Sequence, residues 1–234
     1  MSLKELEVNL KKLANPSKAT VLQRFFKTGK GEYGEGDVFL GLVVGEQRRL
    51  AKEFKELSLE EIQRLLDSEI HEKRLIGLLI LIEKFKKASE DLKKEIFEFY
   101  TKNSRRINNW DLVDLSAPNI VGNFLLDKPR EVLYRFAGSD NLWQRRISVI
   151  SCFSFIRVGD FSDALRISER LLEDSHDLIH KAVGWMLREI GKKDVSLLEK
   201  FIQDNYSRMP RTALRYAIEK FPEEKRKRYL LGKF

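Results

Sequence analysis

A phrase rich in small and apolar residues recurs at helix-pair spacing, and this repeat limits the folds open to the chain more than any other feature. Versions of it begin at Arg74 (RLIGLLIL), Trp110 (WDLVDLSA), Arg146 (RISVISCF), Lys181 (KAVGWMLR) and Arg211 (RTALRYAI), at intervals of 36, 36, 35 and 30 residues. That length suits one helix pair, and stacked pairs build a curved solenoid with one concave face. The opening cations Arg74, Arg146, Lys181 and Arg211 are then expected to align along that face, where a basic stripe would cradle a phosphate backbone. Helix ends attract cations for capping and solubility as well, so position alone does not decide the matter.

The remaining punctuation agrees with an all-α fold. Helices are predicted over 3–14, 17–28, 58–67, 70–87, 90–103, 109–126, 129–137, 140–157, 160–173, 176–190, 194–206, 209–220 and 222–230, with breaks at Gly138, Gly159, Gly191 and prolines 129, 210 and 222. Ser58-Leu59-Glu60-Glu61 reads as a capping box, and no run alternates with period two long enough to be a strand. Glycines between Gly29 and Asp37 superficially resemble a phosphate loop. No strand precedes them and the Gly-Lys-Ser/Thr ending is missing, so a loop with positive-φ positions is expected instead. Residues 1–234 are read as a single helical-repeat domain.

Charge narrows the partners. Lys and Arg number 44 against 36 acids, a net +8, which favours a polyanion, with nucleic acid ahead of an anionic membrane. Cys152 is the one cysteine, so no intrachain disulfide forms and a reducing cytoplasm fits. The start of the chain has no signal-peptide pattern, and the longest apolar stretch, Leu75 to Ile82, is far short of a membrane span.

Conventional catalytic sets are poorly supplied. The i,i+4 pair His176 and His180 lacks further ligands for zinc, and His180 is expected to pack or hydrogen-bond near a helix start. Cys152 lies in an apolar sequence, as a buried thiol would. More distinctive is Asn108 to Ser116 (NNWDLVDLS). Trp110 and Asp114 share a helical face there, and an indole beside a carboxylate suits a cationic or cation-forming ligand. The plainer reading has Asn108 or Asn109 capping, Trp110 packing and the acids complementing the helix N-terminus. Trp143 and Trp185 also fall at repeat openings, amid Arg145, Arg146, Lys181 and Arg188.

NNWDLVDLSA, LWQRRISVISCFSFIR, LIHKAVGWMLREIGK, MPRTALRYAIEKFPEEKR and GEGDVFLGLVV together resemble the AlkD-type DNA alkylation repair proteins, HEAT-like repeat DNA glycosylases, over nearly the whole chain. The resemblance implies an α-helical solenoid holding duplex DNA, and excision of cationic bases such as 3-methyladenine and 7-methylguanine without flipping the base. By motif, Asp114 matches the catalytic carboxylate, Trp110 and Trp185 the aromatics bordering the deoxyribose, and Arg146 the basic residue near the lesion's backbone. Arg145, Lys181, Arg188, Arg211 and Arg74 fall with the expected DNA face. The expected enzyme needs no metal or organic cofactor and no obligate protein partner and acts as a monomer in the cytoplasm; because no lysine stands out as a Schiff-base nucleophile, it is expected to be monofunctional. Some members place a Tyr on the second helix, where this chain has Phe25 or Phe26. Two other readings stay open: a non-catalytic DNA-structure binder of the same fold, and a helical-repeat scaffold for a protein partner.

Overall fold

The computed structural model describes residues 2–234, and α-helix runs through it from end to end. Among the described residues, the sole extended pairing is an isolated parallel bridge between Val38 and Ile70. No described helix is long and apolar enough to cross a membrane. The chain divides into two compact units, one running to Ser116 and the other spanning Ala117–Phe234.

The first unit contains α1 (Leu3–Leu13), α2 (Pro16–Phe25), α3 (Val44–Glu53), α4 (Leu59–Leu66), α5 (His71–Lys87), α6 (Glu90–Lys102), a 3₁₀ turn at Ser104–Arg106 and α7, which begins at Trp110 and ends at Ala117. Side-chain caps start several of these helices where the sequence predicts. Asn15 caps α2 and Ser89 caps α6, while Ser58 and Glu61 form the expected reciprocal box at α4. The organising helix is α5, whose central residues 75–82 are all apolar and all buried, with α3, α4 and α6 packed against the helix. Leu75, Ile76, Leu78, Ile80 and Leu81 are all but inaccessible, and burying each contributes about 1.5–3 kcal/mol.

Between α2 and α3 the chain is irregular yet tightly held. Gly31 and Gly36 take φ of +78° and +87°, the positive-φ positions expected of this loop. The bridge at Val38 then pins the segment to the start of α5, with His71 N–H donating to Val38 O at 2.9 Å. Glu72 completes the clamp. Its buried carboxylate accepts from Leu40 N–H at 3.0 Å, Gly41 N–H at 2.8 Å and Leu42 N–H at 3.2 Å. At Gly41 φ is +90°, and a Cβ there would sit 2.2 Å from Asn15 O, so this position requires glycine.

The second unit contains a π-helical turn at Pro118–Gly122, then α8 (Glu131–Ala137), α9 (Leu142–Ser151), α10 (Phe153–Arg157), α11 (Ser162–Arg170), α12 (Asp177–Gly191), α13 (Val195–Asn205), α14 (Arg211–Ala217) and α15 (Glu223–Leu230). Two predicted helices are thus interrupted. The helix expected over 109–126 shifts to i→i+5 bonding at Pro118, because proline has no N–H to continue the ladder. The helix expected over 140–157 breaks at Cys152. There Ser151 bonds back to Ile147 O at 2.6 Å and Ser148 to Arg145 O at 2.8 Å, contacts that compete with and bend a helix. Packing centres on α12, which contacts α9, α11, α13 and α14. Gly184 lets α14 come close, since a Cβ there would meet Ala213 O at 2.5 Å. Cys152 is fully buried, and burial pushes its thiol pKa well up, which fits an inert packing role. His180 lies against Asp174 O at 2.5 Å, and His176 caps α12.

Candidate functional site

The first unit's site is built on the opening of α7. Asn109 accepts from Trp110 N–H through Oδ1 at 2.8 Å and is itself buried, so the helix starts at a fixed point. Trp110, four residues before Asp114, shares its helical face; both are half-buried and both line one cavity. The indole does pack, as the plainer reading expects, but on only one side. It stacks on Phe26 with centroids 5.1 Å apart and an interplanar angle of 19°, Phe26 stacks on Phe39 at 5.0 Å, and Phe39 stacks on His71 at 4.5 Å. Phe25 meets the edge of Trp110 at 5.9 Å and is itself exposed. Each such contact adds about 0.5–1.5 kcal/mol beyond area burial, so the column holds the indole rigidly.

At its inner end the column meets a buried polar chain that the sequence did not announce. His71 Nδ1 lies 3.0 Å from Asp37 Oδ2 and Nε2 lies 2.9 Å from Asp111 Oδ2. Arg74 pairs with Asp37 Oδ1 at 2.6 Å. Burial by itself would lower the His71 pKa, but hydrogen bonds to Asp111 and Asp37 overcome it and hold the pKa above its ordinary 6.5. For Asp37, burial acts upward, yet the His71 hydrogen bond and the Arg74 charge leave the carboxyl below its ordinary 3.8. This chain of charges ties Asp37 in the loop, His71 and Arg74 on α5, and Asp111 on α7 into one support beneath Trp110. GEGD carries Asp37, but nothing in the linear pattern pairs it with His71.

The cavity itself measures about 760 Å³, a size typical of small-molecule sites (roughly 300–1,000 Å³). Leu22, Phe26, Phe39 and Leu42 supply apolar wall, and Asp111 and Asp114 bring carboxylates to it.

Several cations expected to face DNA are instead bound within the protein. Arg74 is 4% exposed and occupied by Asp37 and by Ser68 O at 2.7 Å, which corrects its place on a solvent-facing stripe. The reason is electrostatic: the buried Asp37 and its neighbours need a positive partner in a low-dielectric setting. Arg146 is buried too and donates to Leu178 O at 2.5 Å. Arg145 is held by Asp174 at 2.6 Å and by two backbone carbonyls, and Arg188 pairs with Glu219 and Glu189. Lys181, paired with Asp177 at 2.8 Å, and Arg211 keep exposed side chains. Trp185, on α12 of the second unit, is half-buried, donates Nε1–H to Glu189 at 3.1 Å and packs near Phe153 at 5.8 Å. Trp143 is buried and belongs to the core.

A family model described as DNA alkylation repair enzyme matches residues 6–221. The chain belongs to the DNA alkylation repair family. Solved structures carry the same fold: a predicted DNA alkylation repair enzyme from Enterococcus faecalis superposes with a TM-score of 0.70 at 16% identity, over 90% of this chain and 97% of that one. AlkD2 from Streptococcus mutans superposes with a TM-score of 0.57 at 18% identity, over 88% of this chain and 98% of that one. No curated protein matches the sequence. The all-α helical-repeat fold and an AlkD-type membership are therefore those of the chain, and DNA alkylation repair is the role its family carries.

Proposed function

We propose that the protein is a monofunctional DNA glycosylase that hydrolyses the N-glycosidic bond of cationic N-alkylated purines, such as 3-methyladenine and 7-methylguanine, in duplex DNA. The observation that carries this reading is the pairing of a rigidly stacked, half-exposed Trp110 with Asp114 on one face of α7, both lining the same cavity. An alkylated purine already bears the positive charge that makes it a leaving group, so it departs with the bonding electrons and needs no general acid. Positive charge then passes to the sugar, where the Asp114 carboxylate stabilises it and the electron-rich indole adds attraction. The same carboxylate positions a water, whose oxygen bonds to C1′ and whose proton is lost to solvent. Because this selection acts on charge, the base need not be flipped into a pocket, unlike in most glycosylases.

For the second unit we propose Trp185 as an aromatic residue toward DNA, with the exposed side chains of Lys181 and Arg211 as its basic contacts to the phosphate backbone. The reading calls for no metal or organic cofactor and for a monomer in the cytoplasm. Phe25, exposed at the edge of Trp110, and Phe26, stacked on it, are the two residues at which the resemblance sets a Tyr in some members.

The test is base release from methylated duplex DNA. Wild type should free methylated purines, and Asp114→Asn should lower single-turnover excision at least a hundredfold, by analogy with removal of other transition-state charge partners (roughly 10²–10³), while retaining duplex binding. Undiminished excision by the variant removes Asp114 from the mechanism. Duplex binding with no release by wild type makes the protein a non-catalytic DNA binder.

A further inference from the structure

One stretch of the first unit departs from the charge pattern of the rest of the chain. From Val8 to Gly31 no acidic residue occurs in 24 positions, where the chain's average of 36 acids in 234 residues would give about four. The same stretch carries six cations: Lys11 and Lys12 in the last turn of α1, Lys18 and Arg24 on α2, and Lys27 and Lys30 just beyond it. All six are exposed, and Lys27 alone among them has an ion pair, a loose one to Glu32 at 3.9 Å. Surface cations on other helices often have an acid one turn away, as Arg49 has Glu53, Lys94 has Glu98 and Lys200 has Asp204. A face built only for solubility mixes both signs, whereas an unopposed set of one sign raises the local potential and draws a polyanion.

The helix α2 is placed to use that potential. Ala19, Leu22 and Phe26 turn inward onto Phe39 and Trp110, which leaves the opposite side of the helix in solvent. Val21, Arg24 and Phe25, spaced i, i+3 and i+4, share that outer side, with Val21 66% and Phe25 58% exposed. Lys18 and Phe25 also line the cavity that holds Trp110 and Asp114, and Phe25 meets the edge of the indole. Cations and two apolar side chains thus stand together beside the site proposed for base excision. Duplex DNA matches this combination, since its phosphates take the cations and the deoxyribose between them offers an apolar edge. An anionic membrane matches it less well. An interfacial helix buries a broad apolar face, and Leu22 and Phe26 are already turned to the core.

We propose that α2 is the phosphate-binding helix of the first unit, with Lys18 and Arg24 contacting the DNA backbone beside the cavity and the other four cations supplying the surrounding field. The choice of partner rests on the DNA reading proposed above, but the contact itself does not depend on base excision. It gives this unit the exposed charge that its repeat-opening Arg74, buried on Asp37, does not provide.

Binding of an unmodified duplex to the full chain, followed by fluorescence anisotropy over a range of salt concentrations, tests the proposal. Lys18→Ala/Arg24→Ala should weaken binding and reduce the slope of log K against log salt by about 2, at about 0.9 for each phosphate contact removed. Both side chains are exposed and without an ion pair, so the melting temperature should not change, which separates lost contacts from misfolding. The control Lys94→Ala/Lys200→Ala removes the same charge from α6 and α13 and should leave the slope as it is. A slope unaltered in the α2 variant, an equal reduction in the control, or no duplex binding by wild type overturns the proposal. So does loss of binding to phosphatidylserine-containing vesicles with duplex binding intact, which would make α2 a membrane-facing helix. A reduced slope in the variant together with no base release by wild type leaves the α2 contact standing and removes the glycosylase reading. Base release by wild type with an unaltered slope in the variant does the reverse.

Discussion

At the residue scale, His71 shows how a function-bearing surface rests on groups it never exposes. The imidazole is stacked on Phe39 and bonded at both nitrogens, and it links the loop acid Asp37 to Asp111, one residue from Trp110. Its pKa is raised in the folded protein, so its pairing contributes fully below about pH 6.5 and is lost as pH rises through the elevated folded value. Asp37 works in the opposite sense: its depressed pKa gives a contribution present above about pH 3.8 and lost as pH falls below it. Thermal stability should therefore be highest between those limits and decline on the alkaline side. In His71→Gln the alkaline decline attributable to this group should vanish, and the variant should lose about 3–5 kcal/mol near pH 6, as expected when one partner of a buried charge set is removed. Melting curves across pH for both proteins give the comparison. An unchanged alkaline limb in the variant would mean another group is responsible.

At the element scale, the loop between α2 and α3 owes its shape to contacts with α5 and α2 more than to local propensity. Glu72 gathers three backbone N–H groups from residues 40–42, and Gly41 presses against Asn15 O. Gly41→Ala should destabilise the first unit by about 2–4 kcal/mol, combining positive-φ strain with a backbone clash, and should loosen the wall beside Phe39. Denaturant unfolding measures the loss, and hydrogen exchange over residues 38–44 should rise. The second unit offers a parallel case in Gly184, where α12 and α14 touch. There Gly184→Ala should cost about 1–3 kcal/mol even though alanine favours helix, because overpacking against Ala213 O outweighs propensity. A neutral or stabilising result would show that α14 can move aside.

At the scale of the whole molecule, net positive charge does not translate directly into a DNA-binding stripe. Arg74 and Arg211 open equivalent repeat phrases, yet the first is buried on Asp37 and the second is exposed. Arg211→Ala should weaken duplex binding and reduce the slope of log K against log salt by about 1, while leaving the melting temperature nearly unchanged. Arg74→Ala should instead lower stability by about 3–5 kcal/mol, since it strands Asp37. Paired salt titrations and melting curves separate the two. A salt slope unaltered in Arg211→Ala would take that residue off the DNA-binding surface.

Helical class, most helix starts and the recurrence near 36 residues follow from the sequence itself, because capping side chains, helix breakers and apolar spacing act over a few residues each. The motif around Trp110 and Asp114 was legible for the same reason: four residues apart on a helix means one face. Where each cation's charge goes was not legible, because burial of Arg74 and Arg146 depends on partners far away in the chain. Nor could local pattern join Asp37 to His71 and Asp111, or bring Phe26, Phe39 and Trp110 into one column. His71 reaches its two acids across 34 and 40 positions and Phe26 reaches Trp110 across 84, and only tertiary packing selects such partners, since a buried carboxylate takes whichever donor the fold brings within hydrogen-bonding distance.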